Sequence, residues 1–384
     1  MKRLFFLLPL AALSLNSCIK SEPLNPEADI LEFKLPDEFA PFLMGVKVTN
    51  TEINVFVKKS AEINAVKPTI EITPGASIYP LSGEERNFEE TLQYTVTSPN
   101  GENQKEYNVN FISNIPLEYD FERWKENIEP LTRRKYDYAY EFVKTGEKDG
   151  EELGKDITIW DSGNPGIAIY SRPPYPTAKA VLPEDVFAGD YSARMETLKG
   201  PGNILNQMYI PIVAGSLFIG NFKLEMNEPL NSPKFGVPFF NIMPKRFEGH
   251  FKYKEGSGDY IDKDGKPVPN ASDSCSIYSV LYEFTGNENI KWDGMLTGVD
   301  ILDSKKIVAR AWVPRVTGTP ANEFVYFNVP FEYPYGEDYI DFENKKYYFT
   351  VVFSSSFRGD YYEGKVGSTL VVDNVKVLAD ELSE

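Results

Sequence analysis

The sequence is poor in the residues that metal centres and nucleophilic enzymes use most. Its 384 residues include two cysteines, Cys18 and Cys275, and a single histidine, His250. A structural zinc site takes about four Cys or His ligands, so three such residues argue against zinc and equally against haem. Any Ser/His/Asp or Cys/His arrangement would need His250, which the surrounding alternation places on the polar face of a strand. Cys275 opens an apolar strand, which favours a small buried hydrophobe.

Positive charge is scarce as well. The chain has 40 Lys and Arg against 57 Asp and Glu, a net charge of −17. Nucleic-acid binding needs clustered Lys and Arg to neutralise phosphates, and no basic stripe is present, so nucleic acid is excluded as a partner. The longest apolar run, Leu4 to Leu15, is too short to span a membrane.

The first residues indicate export and lipidation. Lys2 and Arg3 precede the apolar run, and Ser17-Cys18 follows it, which resembles a bacterial lipobox. We expect a signal peptide over 1–17, a lipid on Cys18 and a tether over 18–28, which together place the protein at the outer membrane, exposed on the cell surface. Acyl chains anchor a protein without a transmembrane helix. A plain signal peptide with an incidental cysteine is the alternative.

Residues 29–115 show strands with period-two alternation and turns at Pro74-Gly75 and Pro99-Asn100-Gly101. This span fits a small immunoglobulin-like sandwich without the usual cysteine pair. It resembles the modules that follow the lipid anchor in many Bacteroidota surface proteins, a resemblance that implies a spacer.

Residues 116–380 are again rich in strands with Pro and Gly between them, which favours a larger jelly-roll sandwich. The fold class is therefore all-β. One segment, Leu131 to Thr145, is open to two interpretations, a helix or a charged hairpin insert. The predicted strands are Leu217–Leu224, Phe247–Tyr253, Ile277–Tyr282, Ile307–Trp312, Phe324–Val329, Tyr347–Phe353 and Thr369–Val377.

Six motifs occur in order in this second region. They begin at Phe121-Glu122, Trp160-Asp161, Ala214-Gly215, Phe247-Glu248, Ile277-Tyr278 and Gly367-Ser368. Together they resemble the family named for a "putative carbohydrate metabolism domain", found in Bacteroidota lipoproteins. The resemblance implies a jelly roll similar to carbohydrate-binding modules and a role in glycan use; His250 stands where an aromatic is expected.

Sugar recognition uses aromatic faces together with amides, carboxylates and Arg. Several loop-like segments combine these groups, whereas Trp124 and Trp312 lie in strand patterns and are expected in the core. The candidate ligand-binding residues are Trp160, Asp161, Asn164, Tyr175, Trp292, Asp293, Arg358 and Asp360.

Two further kinds of site are weighed. Glycoside hydrolysis needs two carboxylates about 5–10 Å apart, and with so many acids the spacing selects no pair, so catalytic residues are unassigned. Jelly-roll binding modules often hold a structural calcium ion near their first and last strands, which by analogy implies Glu122 and Asp373. No other cofactor is expected.

The sequence therefore favours a lipid-anchored surface protein that binds a polysaccharide or oligosaccharide, alongside other glycan-uptake proteins of the surface. A glycoside hydrolase with an Asp/Glu pair and a structural or adhesive surface protein are the alternatives.

Overall fold

The computed structural model describes residues 25–113, 115–148, 151–204, 208–287 and 292–381. The predicted signal peptide, Cys18 and most of the tether lie outside the described residues. Within them the regular secondary structure is almost entirely β-strand, with one short α-helix, Asn164–Tyr170, and isolated 3₁₀ turns, so the predicted all-β class is confirmed. None of the helices in the described part of the chain has the length and apolarity needed to cross a membrane.

The N-terminal module is a small sandwich around its own apolar core. Ile53, Val55 and Val57 alternate towards that core, as the period-two pattern predicts. A two-stranded sheet, Ile30–Lys34 with Thr69–Ile72, contributes to the same core. The five-stranded sheet has the order Leu43–Val48, Glu52–Val57, Gln104–Ile112, Leu92–Thr97 and Ser77–Tyr79, with its second and third strands parallel.

The second region is a larger sandwich of two antiparallel sheets. In the first sheet the order is Trp160–Ser162, Ser216–Phe222, Lys346–Ser354, Ser276–Phe284 and Ile307–Trp312, with Pro233–Phe235 and Val237–Phe239 added at its side. In the second sheet the order is Thr177–Ala180, Ser192–Glu196, Thr369–Glu381, Ile242–Lys254 and Val325–Pro330, with Glu118–Tyr119 paired to the long strand Thr369–Glu381.

Shorter strand pairs decorate the sandwich. The segment predicted as helix or hairpin is hairpin-like, because Lys135–Ala139 pairs antiparallel with Trp124–Ile128. The helix Asn164–Tyr170 was not predicted; Pro165 lies in its first turn, where proline is tolerated. The pairs are Trp124–Ile128 with Lys135–Ala139, Glu141–Lys148 with Glu151–Ile157, Leu198–Ile204 with Met208–Val213, and Tyr260–Ile261 between Pro267–Val268 and Gly364–Lys365.

The main core lies between the two large sheets. Phe247, Phe251 and Tyr253 point inward from one sheet and meet Phe349 and Phe353 from the other. The strand Ser276–Phe284 is buried on both faces, because the side of its sheet that faces away from this core carries a second apolar cluster. The alternating pattern of these strands therefore fixes which side chains remain available on the outer faces.

The N-terminal module is packed directly on the sandwich. Its residues Met44, Phe56 and Ile112 belong to the same apolar core as the sandwich residues. Polar groups complete the contact: Lys47 donates to the Gly220 carbonyl at 2.6 Å, and Asn54 donates to the Thr158 carbonyl at 3.3 Å. The N-terminal module therefore shares a core with the sandwich, and the spacer role that the resemblance implies stays a prediction.

Candidate functional site

A polar cleft lies where the two parts of the chain meet. Its volume is about 460 Å³, and it is lined from one side by Asn50 and Tyr107 and from the other by Tyr138, Asn221 and Trp292. A second hollow of about 590 Å³ shares several lining residues with it, so the two form one depression. Ligand pockets commonly enclose about 300–1,000 Å³, and this "interdomain cleft" is of that size.

Trp292 stands at the wall between the interdomain cleft and a smaller hollow of about 90 Å³ on its other side. The ring is half-buried, and the Lys223 ammonium lies 4.9 Å from its centroid. The backbone of Trp292 has a φ of 67°, in the left-handed region that bulky residues rarely adopt. Such strain costs about 1–3 kcal/mol and concentrates at ligand sites. The fold thus holds the Trp292 ring at the cleft although the backbone conformation of this residue is unfavourable.

Two amides give the cleft unused hydrogen-bonding capacity. Within the described residues, the side-chain amides of Asn50 and Asn221 make no hydrogen bond, although both line the cleft. Asn50 is exposed and Asn221 is half-buried. Each amide offers two N–H donors and one carbonyl acceptor, which is the complement of a sugar hydroxyl.

Asp161 lies at the back of the cleft, where it meets the N-terminal module. Its carboxylate accepts the Ser162 N–H at 2.8 Å and the Phe222 N–H at 2.7 Å. Burial raises the pKa of Asp161 to about 6, while the nearby Lys47 ammonium and the two N–H groups oppose that rise. Burial also lowers the pKa of Lys47 to about 8. The Lys47 ammonium and the Asp161 carboxylate therefore attract each other across the contact between the two modules.

The other carboxylates of the cleft are also engaged. Asp29 pairs with Lys105 at 2.5 Å, and Glu52 pairs with Lys125. Glu129 accepts the Leu131 N–H and the Thr132 N–H and hydroxyl, closing its own turn. Both lysines that line the described part of the cleft are thus paired with an acid, so neither presents a free ammonium to an anionic ligand.

Three predicted binding residues are in the core, and the expected exposure of each is corrected. Trp160 is fully buried, packs against Tyr119 and Phe353, and its indole N–H donates to Glu141 at 2.6 Å. Asn164 is fully buried and exchanges two hydrogen bonds with the Thr177 backbone. The physical reason is position: Trp160 lies on a strand and its side chain points into the main core, and Asn164 is the first residue of the helix that follows.

Tyr175 is also buried, in a small cluster with Tyr136, where the two rings meet edge to face at 6.4 Å. Its hydroxyl donates to the Ser171 carbonyl at 3.3 Å. The Arg-Pro-Pro segment before Tyr175 predicted a loop with an exposed ring. Tyr175 does lie in a loop, but its ring packs into the protein. Tyr175 therefore supports the strand that carries Tyr138 into the cleft.

The remaining predicted residues are divided. Trp292 and Asp161 meet at the cleft, and Asp293 lies on the far side of Trp292, where it accepts the Asn287 N–H at 2.8 Å. Arg358 and Asp360 are elsewhere: Arg358 pairs with Glu363 at 2.7 Å. Asp360 lines a separate apolar pocket of about 180 Å³, and burial raises its pKa to about 6.

The two acids implied as calcium ligands meet the same loop. Glu122 accepts the N–H groups of Asp190 and Tyr191, and Asp373 accepts the Ala188 N–H at 3.1 Å and the Ser192 hydroxyl at 2.6 Å. Backbone and hydroxyl donors therefore occupy the oxygens that a cation would use. The described residues contain no cluster of three or more potential metal ligands, and calcium stays a prediction.

Sequence reasoning missed Asn50, Asn221 and Tyr138. A signal for Tyr138 was present, because Tyr136 and Tyr138 two residues apart share a face of a strand. No local signal marked Asn50, since its module was interpreted as a spacer. Cys275 is buried as expected, and burial raises the pKa of its thiol to about 12, which leaves it unreactive at neutral pH.

The fold defines an all-β protein in which a small N-terminal module is packed on a larger sandwich. Residues 120–378 match the family described as "Putative carbohydrate metabolism domain", and the chain belongs to that family. Residues 30–111 match the family described as "SGBP, N-terminal", the N-terminal module of Bacteroidota surface glycan-binding proteins.

Two solved structures are similar to the chain, and both are described as putative glycoside hydrolases. One, from Bacteroides thetaiotaomicron, is 32% identical with a TM-score of 0.75, covering 95% of this chain and 100% of its own. The other, from Bacteroides vulgatus, is 28% identical with a TM-score of 0.55, covering 70% of this chain and 99% of its own. The search of curated proteins finds no match.

Proposed function

We propose that this protein is a lipid-anchored protein of the outer membrane surface that binds a neutral glycan chain in the interdomain cleft, as part of polysaccharide use. The observation that carries the proposal is the combination in one cleft of the Trp292 ring with the unused amides of Asn50 and Asn221. The family matches to a carbohydrate domain and a surface glycan-binding module support the same class of ligand.

The chemistry of the cleft fits a sugar better than other ligands. Sugar rings present C–H faces that pack on aromatic rings, and their hydroxyls pair with planar amides. Lys105 and Lys125 are paired with Asp29 and Glu52, so an anionic ligand would have to displace an acid from either lysine. The cleft also continues into a second hollow, which gives an extended chain room for more than one ring.

A glycoside hydrolase is the second candidate, and one observation favours it. The cleft holds Asp161, whose pKa burial raises to about 6, and Glu129, whose pKa lies below its ordinary value. For Glu129, burial acts against the lowering, and the donors of Thr132 and Leu131 outweigh it. Acid and base in glycosidases show such a separation of pKa values. We prefer the binding function because backbone N–H groups of the protein already donate hydrogen bonds to both carboxylates.

The test separates the two candidates. Polysaccharides are screened by affinity gel electrophoresis, and each retained polymer is then incubated with the protein and assayed for new reducing ends. Retention without reducing ends supports the binder; reducing ends that vanish in Asp161→Asn support the hydrolase. If no polymer is retained and none is cleaved, both functions fail and a structural role remains.

Trp292→Ala is expected to weaken glycan binding by at least about tenfold, equivalent to about 1.4 kcal/mol, because the variant loses the stacking face at the cleft. The free energy of unfolding should change little, since the ring is only half-buried. Isothermal titration of the retained glycan measures the loss. The matched control is Tyr335→Ala, an exposed ring outside the cleft at 50% exposure, which should keep wild-type affinity. Equal affinity in wild type and Trp292→Ala would remove the cleft from the proposal.

A further inference from the structure

The outer face of the six-stranded sheet carries a second set of rings and polar groups that the cleft does not include. Phe187 and Tyr326 are 41% and 55% exposed. They flank His250, whose ring is stacked on Phe187 at 3.9 Å and lies 5.3 Å from Tyr326. We call Phe187, His250 and Tyr326, with Glu248 and Asn328 beside them, the "sheet-face patch".

Phe187 is held rigidly although it is exposed. The imidazole of His250 lies almost parallel behind it, with 16° between the ring planes. The Phe187 N–H donates to the Ser192 hydroxyl at 3.2 Å, and that hydroxyl donates to Asp373 at 2.6 Å. Asp373 reaches this side of the sheet next to a bulge at Asn374, which has a φ of 47°. A ring fixed before a ligand arrives loses little entropy on binding.

The polar part of the patch is a connected network. The Tyr326 hydroxyl donates to Glu248 at 2.7 Å, and the Asn328 amide donates to Glu248 at 2.9 Å and to the Tyr326 oxygen at 2.8 Å. Arg246 donates to Asn328 through two of its five N–H groups. The network fixes the orientation of the Glu248, Tyr326 and Asn328 side chains. Their remaining hydrogen-bonding positions can pair with the hydroxyls of a ligand.

Charge on this face is balanced. Arg246 is linked to Glu248 through Asn328, and Lys252 is paired with Asp185 at 2.5 Å. Burial lowers the pKa of His250, so its ring is neutral at pH 7. The Nδ1 atom of His250 has no partner among the described residues. A neutral, hydroxyl-rich ligand complements this surface, whereas an ionic partner would find no net charge to match.

We infer that the sheet-face patch is a second sugar site, in which a pyranose ring of the same neutral polysaccharide packs on Phe187 and Tyr326 while its hydroxyls contact the Glu248 network. This inference rests on the proposed function. The patch lies on the outer face of the second sheet and the cleft adjoins the first sheet at Asn221, so a chain long enough to pass around the sandwich is needed to engage both. Two linked contacts raise the avidity for a polymer well above the affinity of either alone, by about 10²–10⁴-fold in favourable cases.

The test uses affinity gel electrophoresis and titration of the intact protein with a retained polysaccharide. The double variant Phe187→Ala/Tyr326→Ala should weaken polymer binding about tenfold or more, and combining it with Trp292→Ala should abolish retention. Tyr326→Phe keeps the ring and loses only the hydroxyl, so its loss should be smaller. Tyr335→Ala is the matched control and should bind as wild type. Unfolding midpoints confirm that each variant is folded.

The outcomes are distinguishable. If the double variant binds like wild type while Trp292→Ala is weakened, the second site is wrong and the proposed function stands. If the double variant fails to fold, Tyr326→Ala alone replaces it and should still lose several-fold; no loss overturns the inference. If wild type retains no polysaccharide at all, the proposed function fails, and the second site fails with it.

Discussion

Trp160→Ala is expected to lower the free energy of unfolding by about 3–5 kcal/mol, the cost usually found for truncating a buried Trp. Trp160 is fully buried and packs on Tyr119, Phe121 and Phe353, with centroid distances of 5.0, 5.4 and 6.0 Å. The variant also leaves the buried Glu141 without its indole donor. Denaturant unfolding followed by fluorescence and circular dichroism measures the change.

Two comparisons make this prediction specific. Trp160→Phe keeps an aromatic ring and should lose clearly less stability than Trp160→Ala. Trp292→Ala, in the cleft, should lose little stability and much affinity. If Trp160→Ala kept wild-type stability and lost glycan binding instead, the ring would be a ligand contact as the sequence suggested, and its placement in the core would be wrong.

Glu141→Gln is expected to stabilise the protein by roughly 3 kcal/mol at pH 7, at about 1.36 kcal/mol per pKa unit. Burial raises the pKa of Glu141 from 4.5 to about 8, and the Trp160 N–H and Arg123 only partly oppose that rise. A Gln carbonyl still accepts the indole N–H, so the variant keeps this hydrogen bond. Thermal and urea unfolding from pH 4 to 8.5 measures the difference.

The direction of the pH dependence is set by whether the folded or the unfolded protein keeps the proton on Glu141. Between pH 4.5 and 8 the folded protein holds Glu141 protonated while the unfolded chain has released the proton. Wild-type stability attributable to this group is therefore full below pH 4.5 and falls as pH rises towards 8. The variants should be equal at pH 4 and diverge above it. Glu62→Gln, at an exposed position, is the control; a constant difference between wild type and Glu141→Gln at every pH would contradict the raised pKa.

Much of the fold could be predicted from the sequence because alternation is a local signal. The strand predicted over Ile307–Trp312 has those bounds in the structure, and the one over Ile277–Tyr282 extends only to Ser276–Phe284. The segment Leu131 to Thr145 could not be assigned, because tyrosines at positions 136 and 140 suit a helical face as well as a strand. Pairing with Trp124–Ile128 decides it, and that partner lies outside the local pattern.

The site was less predictable because burial depends on residues far apart in the chain. Trp160 stands beside Asp161, Gly163 and Asn164, which suggest a loop. It is enclosed by contacts with residues far away in the chain, among them Tyr119 and Phe353. The cleft is lined by residues of both modules. Asn50 could not be predicted as a binding residue from its own module, because Asn221 and Trp292, which line the same cleft, belong to the other one. Asp161 and Trp292 were predicted as binding residues, and the structure brings these two together.

The similar solved structures are described as putative glycoside hydrolases, whereas the cleft favours binding. Whether the cleft could hydrolyse a glycan or only bind it depends on two carboxylates that are available to the substrate. Asp161 and Glu129 both line the cleft, yet each accepts hydrogen bonds from the backbone of its own module or turn. An enzyme of this family would need one of them released towards the substrate.

The most direct test of the central claim is a crystal structure of the protein with the polysaccharide fragment that binds tightest. The account predicts a sugar ring packed on Trp292, with its hydroxyls within hydrogen-bonding distance of the Asn50 and Asn221 amides. A fragment that instead occupies the apolar pocket beside Asp360, with no sugar in the interdomain cleft, would contradict it.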